Sequence, residues 1–219
     1  MSDNAEEAGI VIGGIGPGSR DYLLPVVKRR AEESQLLLGS RRALELFSHH
    51  DKKTVEITAD LAQIEEVIEE NYRDVRVMVL VSGDPGLYSL ADYLRRNFPE
   101  EELEIIPGVS SMQLGFARAR LSWQDAHFIS LHGREEFPRL KRLVEAGEKV
   151  GVFTDEENTP SIIAGRLLEA EAGDRRATVA ENLSYEEENL ITARLSQLTG
   201  REFAGLNVML IHGEGDGDG

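Results

Sequence analysis

The sequence predicts an α/β protein of two α/β domains, an N-terminal one on a mostly parallel sheet and a C-terminal one on a mixed sheet. Three observations lead there. Through the first half, apolar stretches of strand length alternate with amphipathic stretches of helix length. Turns bearing glycine and proline follow the first strand, the most apolar strand and the strand after it. Toward the C-terminus, strands succeed one another with no predicted helix between them, which implies antiparallel pairing.

The first strand, Ile10-Val11-Ile12, runs into Gly13-Gly14-Ile15-Gly16-Pro17-Gly18. Glycines at a strand's carboxyl end supply positive φ and let backbone approach a ligand. Read from Gly14, the G-x-G-x-x-G fingerprint fails at Ser19, and no Lys-Ser/Thr ending marks a phosphate-binding P-loop. Pro17 has no N–H to offer a phosphate. Pro25 opens a helix at its first turn; residues 36–39 form a strand, and Ser40 caps a helix through Phe47. Residues 54–57 make a short strand, and Asp60 starts a helix with Leu61, Ile64, Val67 and Ile68 on one face. Residues 75–81 are apolar almost without a break, the mark of burial on both faces, and end at Ser82-Gly83-Asp84-Pro85-Gly86. A helix through Leu90, Leu94 and Phe98 leads to a strand at 103–106, which ends in Pro107-Gly108-Val109-Ser110-Ser111.

After Ala119 the texture changes. The expected organisation is a flexible acidic tail at 1–8, a first domain at 9–120, a second at 121–213 and a disordered tail at 214–219. Residues 126–131 form a strand ending in His132-Gly133-Arg134, and the charged segment to Arg142 reads as a crossing into the second domain. Residues 150–154 are a further strand; Thr159 caps a helix with Pro160 at its first position. Strands at 177–180, 190–193 and 208–211 complete the mixed sheet.

Composition narrows the function. Net charge is −16, which repels nucleic acid and anionic membranes, and no basic stripe offsets it. Only five of the 24 basic residues are lysine, as suits a salt-adapted organism or a GC-rich genome. With no cysteine there is no thiol nucleophile, disulfide or thiolate metal site, and His49, His50, His127 and His212 lack metal-ligand spacing. No signal peptide or membrane-length apolar run is visible, so a cytoplasmic location is expected.

The three turns carry the chemistry. Asp84 in Gly83-Asp84-Pro85-Gly86 either accepts hydrogen bonds at a ligand edge or caps the next helix. Ser110 and Ser111 either offer hydroxyl and N–H groups to a ligand or act as ordinary N-caps. As a set, Ile12 to Gly18, Val81-Ser82-Gly83-Asp84-Pro85 and Ile106 to Ser111 resemble the tetrapyrrole methylase family, as do Val152-Phe153-Thr154 and Ala180-Glu181-Asn182-Leu183. That resemblance implies two α/β domains forming a cleft for S-adenosylmethionine (S-adenosyl-L-methionine), within a homodimer. By motif position it implies that Gly83, Asp84, Leu87, Ser110, Ser111, Thr154 and Leu183 line the cofactor pocket. Pro17 is expected against the cofactor's methionine side, and Gly16, Pro17 and Gly18 against the tetrapyrrole.

Within the family, the short length and Ser130-Leu131-His132-Gly133-Arg134 resemble proteins that methylate C5 of a corrin precursor, cobalt-precorrin-7 or its cobalt-free equivalent, in cobalamin biosynthesis. A separate decarboxylating C15-methyltransferase is then an expected partner. The alternatives are another methyltransferase of the family or a non-catalytic S-adenosylmethionine-binding module. Methyl transfer needs alignment and desolvation more than an acid. His132 is the candidate for the proton on the macrocycle, against a purely structural role. Arg134 and, second to it, Arg20 are candidates for holding substrate carboxylates, against the reading of both as surface charges.

Overall fold

Strand burial and helix capping account for many of the elements. The computed structural model describes residues 9–48, 52–57, 60–133 and 135–216. The chain divides into two compact units, Met1–Ser110 and Ser111–Gly219.

In the first unit β1 (Gly9–Gly14), β2 (Leu36–Gly39), β3 (Lys53–Glu56), β4 (Arg76–Val81) and β5 (Leu103–Ile106) form an all-parallel sheet in the order β3-β2-β4-β1-β5. All of β1 is buried and β4 is buried beyond Arg76, so helices must cover both faces. Ile10, Ile12, Leu36, Leu38, Val77 and Val79 pack on one face with α3 (Leu61–Glu69) and α4 (Ala91–Asn97). The alternate residues Val11, Leu37, Met78 and Leu80 pack on the other with α1 (Pro25–Glu33) and α2 (Arg41–Glu45). Ser40 and Asp60 are the caps expected: Ser40 Oγ accepts from the Ala43 N–H, and Asp60 Oδ1 from those of Ala62 and Gln63.

The second unit runs α5 (Ser111–Ala119), β6 (His127–Ser130), α6 (Phe137–Glu145), β7 (Val150–Phe153), α7 (Pro160–Glu169), β8 (Arg176–Glu181), β9 (Asn189–Arg194), α8 (Leu195–Leu198) and β10 (Asn207–Ile211). Its sheet has the order β6-β7-β10-β8-β9, with β6 and β7 parallel and the other neighbours antiparallel. The mixed sheet is therefore as expected. Leu140 and Val144 of α6, Ile163 and Leu167 of α7, and Leu195 and Leu198 of α8 share one core with Ile129, Val150, Val152, Val179 and Met209.

Five expectations change. The division falls between Ser110 and Ser111, ahead of the expected 120/121, because α5 packs within the second unit. A Cβ on Gly115 would lie 3.2 Å from Val208 Cγ2, and one on Gly151 would lie 2.9 Å from Met112 Sδ. The charged segment up to Arg142 is not a crossing; much of it is α6, whose Leu140 is fully buried. The helix after Ser40 stops at Glu45, and Leu61 at the start of α3 is 42% exposed while Ile64 and Ile68 are buried. The expected disordered tail is tied down through Asp216: Glu214 N–H donates to Gly147 O (3.1 Å), and the buried Lys149 pairs with Asp216 (2.9 Å). The expected tail at 1–8, residues 217–219 and His49-His50 lie outside the described residues. Among the described residues no helix is long and apolar enough to cross a membrane.

His212, just beyond β10, sets an acid limit on stability. It is 7% exposed, its Nε2 is 2.8 Å from Thr178 Oγ1, and Arg175 Nη2 donates to its carbonyl at 2.6 Å. Burial, reinforced by the Arg176 charge, holds its pKa below the ordinary histidine value. A depressed folded pKa means the unfolded chain binds the proton more tightly. The stability contribution is therefore complete above about pH 6.5, the unfolded value, and is lost as pH falls through the folded one. Urea midpoints measured across that window should fall with pH in the wild type and fall less steeply in His212→Gln; parallel curves would exclude His212 as the cause.

Candidate functional site

Because β4, β1 and β5 are adjacent and parallel, the three turns singled out in the sequence leave the sheet side by side at one edge. In open α/β sheets this is the edge where ligands bind. Ile15 N–H donates to Val81 O (2.9 Å), and Gly16 and Gly83 exchange backbone hydrogen bonds at 2.9 and 3.3 Å. Both glycines are left-handed, with φ of +78° and +67°, which no side chain adopts without strain. Pro17 is half-buried between buried Gly16 and Gly18.

The Asp84 carboxylate joins the second turn to the third. Oδ1 accepts from Gly86 N–H (2.8 Å) and Oδ2 from Gly108 N–H (3.0 Å). This bears on the helix-cap reading of its local role. Asp84 does not cap α4, where Ser89 Oγ instead accepts from Ala91 N–H (3.3 Å); it is a strut between turns. Leu87 is half-buried and donates its N–H to Asp84 O (3.2 Å). Ser110, 4% exposed, ends the first unit and Ser111 begins α5 in the second. Arg20 is exposed and donates to Glu45 O (3.4 Å).

In the second unit, Thr154 follows β7, with its Oγ1 2.8 Å from Asn207 Oδ1 and 3.1 Å from Asn207 O, which ties the end of β7 to the start of β10. Leu183 follows β8 and is 6% exposed. It lies between Asn182 and Ser184, both left-handed non-glycine residues (φ 47° and 75°), a strain that structures retain where the surroundings enforce it. Here Glu188 enforces it, accepting from Ser184 N–H (2.8 Å) and pairing with Arg118. Burial pushes the Glu188 carboxyl up, but these two donors hold it below the ordinary range. Tyr185, in the same loop, has a buried hydroxyl with no hydrogen-bond partner among the described residues.

His132 is exposed beyond β6 and has no hydrogen-bond or ion-pair partner among the described residues; Arg134 lies outside them. The intervening Gly133 N–H donates to Asp155 Oδ2 (3.2 Å). Burial alone would raise the Asp155 carboxyl, yet N–H groups of Asn158, Gly133 and Glu157 hold it below its ordinary value. Among the described residues no cluster of His, Asp or Glu could hold a metal ion. Sequence reasoning missed Tyr185, Asn158 and Arg166. Asp155 ahead of Asn158-Thr159-Pro160 carried a readable turn signal, whereas nothing local distinguishes a tyrosine whose hydroxyl lacks a partner.

The family model for tetrapyrrole (corrin/porphyrin) methylases matches residues 9–199. The chain is 33% identical over 211 residues to a protein of Methanocaldococcus jannaschii named probable cobalt-precorrin-7 C(5)-methyltransferase, covering 94% of this chain and 98% of that one. It is 31% identical over 197 residues to a decarboxylating precorrin-6Y C(5,15)-methyltransferase of Sinorhizobium, covering 88% of this chain but 46% of the relative. Uroporphyrin-III C-methyltransferase of Thermus thermophilus, solved with S-adenosyl homocysteine, has the same fold: TM-score 0.73, 21% identity, 93% of this chain and 97% of that one.

Proposed function

The chain belongs to the tetrapyrrole methylases, and from that membership we propose that it is an S-adenosylmethionine-dependent methyltransferase acting on C5 of a corrin precursor, cobalt-precorrin-7 or its cobalt-free equivalent. The observation that carries the reading is the 33% identity, spread over 94% of the chain, to a relative named for that reaction. The side-by-side turns of β1, β4 and β5 support it, since they form a rigid backbone edge of the kind a positioned ligand needs.

S-adenosylmethionine supplies an electrophilic methyl on a sulfonium, which leaves as a neutral thioether. By the family resemblance, Gly83, Asp84, Leu87, Ser110, Ser111, Thr154 and Leu183 are the residues we assign to holding it. Pro17 is assigned to the boundary between cofactor and tetrapyrrole, with Gly16 and Gly18 setting its angle. The Tyr185 hydroxyl fits a polar ligand atom, because a buried unpaired hydroxyl costs about 1–3 kcal/mol until a partner arrives. His132, exposed and unpaired among the described residues, is assigned to the proton leaving the macrocycle. Arg134 and Arg20 are assigned to substrate carboxylates. The same proposal places the protein in the cytoplasm as a homodimer and leaves decarboxylation and C15 methylation to a separate partner.

Incubation with S-adenosylmethionine and cobalt-precorrin-7, or the cobalt-free precursor, tests the reading by mass spectrometry. A gain of one methyl supports it, and no gain on either substrate overturns it. In Tyr185→Phe, calorimetry should show S-adenosylmethionine affinity reduced about fivefold to tenfold, while thermal stability is unchanged or higher. Wild-type affinity in that variant would remove Tyr185 from the cofactor site.

A further inference from the structure

Between the starts of α6 and α7, at the carboxyl-terminal edge of β6 and β7, the second unit holds a cavity of about 450 Å³. Leu131 and Gly133 line it from the end of β6, Asp155 and Asn158 from the end of β7, Phe137 from α6 and Arg166 from α7. Arg166 is fixed in place without a ligand. Its Cζ lies 3.8 Å from the Phe137 ring centroid, and its Nη1 donates to Asn158 Oδ1 at 3.2 Å. The Asn158 amide is held in turn, since its Nδ2 donates to Leu131 O (3.3 Å) and Asp155 Oδ1 (3.1 Å). Asp155 does not neutralise the arginine: its oxygens accept from backbone N–H groups of Gly133, Glu157 and Asn158 and from that amide. Arg166 makes no ion pair among the described residues, and with Nη1 engaged it keeps a guanidinium edge for a planar anion. The start of α6 at the same mouth has no side-chain cap, so its positive end adds to the attraction for an anion.

We infer that this cavity is a subsite for one carboxylate arm of the tetrapyrrole, with Arg166 as the binding residue and Asn158 and Phe137 as positioning residues. The inference rests on the proposed methyl-transfer reading for the identity of the ligand. The site borders the His132-Gly133 turn, which the Gly133–Asp155 hydrogen bond ties to it. Exposed Glu135 and Glu157 also border the cavity. They oppose an arm that is out of line with Arg166, so the pair of signs selects one position for the carboxylate.

Two measurements on the full chain test this. In methyl transfer to cobalt-precorrin-7 at saturating S-adenosylmethionine, Arg166→Gln should raise the tetrapyrrole KM about tenfold and leave cofactor affinity unchanged. Arg166→Lys should recover only part of the loss, and Glu157→Gln should lower KM. Fluorescence titration with uroporphyrin III, a polycarboxylate tetrapyrrole, reads the subsite without catalysis and should show the same order of affinities. If Arg166→Gln keeps wild-type affinity for uroporphyrin III and a wild-type thermal midpoint, the subsite is overturned. If the wild type transfers no methyl but Arg166→Gln still weakens uroporphyrin III binding, the subsite stands and the reaction assignment falls.

Discussion

Gly108→Ala is expected to lower the stability of the first unit by about 3 kcal/mol or more, enough to cost much of the soluble yield. A Cβ at this position would lie 2.2 Å from Gly83 O and 2.8 Å from both Gly14 C and Gly14 O. These are backbone atoms and cannot rotate away. Gly83 O already accepts from Gly16 N–H, and Gly14 is the last residue of β1, so relief would require separating the turns or bending the central strand. The same geometry seen from the other side puts a Cβ on Gly14 2.6 Å from Gly83 O and 2.7 Å from Gly108 N. Gly205→Ala is the control, because nothing lies within 4 Å of its added Cβ. Guanidinium midpoints for the two variants should differ widely; equal midpoints would show that the three turns can separate freely.

Asp84→Ala should cost about 2 kcal/mol in stability and about a hundredfold in kcat/KM for methyl transfer. The stability term follows from removing a charged acceptor from the N–H groups of Gly86 and Gly108. The rate term follows from the loss of alignment, since a displacement of about 1 Å in a positioning element costs on the order of a hundredfold. Asp84→Asn should recover little of either: its amide keeps one acceptor oxygen and turns a donor toward the other N–H. Denaturation and single-turnover transfer measured on the same preparations separate the two effects. A wild-type rate in Asp84→Ala would show that the turns stay aligned without the carboxylate.

Most of the individual elements were legible because their signals are local. Pro25 and Pro160 stand at helix starts, Ser40, Asp60 and Thr159 accept from first-turn N–H groups, and the strand at 103–106 has the expected ends. The unit boundary was not legible. Whether α5 belongs with the strands before it or after it depends on Gly115 and Met112 packing near Val208 and Gly151, residues far away in sequence. The order of Lys149 and Asp216 was hidden for the same reason: an acidic, glycine-rich tail reads as mobile until a buried lysine is placed beside it.

From the sequence alone came the α/β class and the mixed second sheet, because periodicity, capping and turn chemistry are set by residues a few positions apart, and the family by resemblance of its motif-bearing turns. The tertiary structure decided what those turns do to one another. The order β3-β2-β4-β1-β5 places Gly14, Gly83 and Gly108 in backbone contact and lets Asp84 brace its own turn through Oδ1 and reach the next through Oδ2. Similar long-range placement leaves the Tyr185 hydroxyl without a partner among the described residues and holds Arg166 against Phe137 beside a cavity. Such contacts depend on which strands and loops become neighbours, a choice made by burial across the whole chain and carried by no single segment.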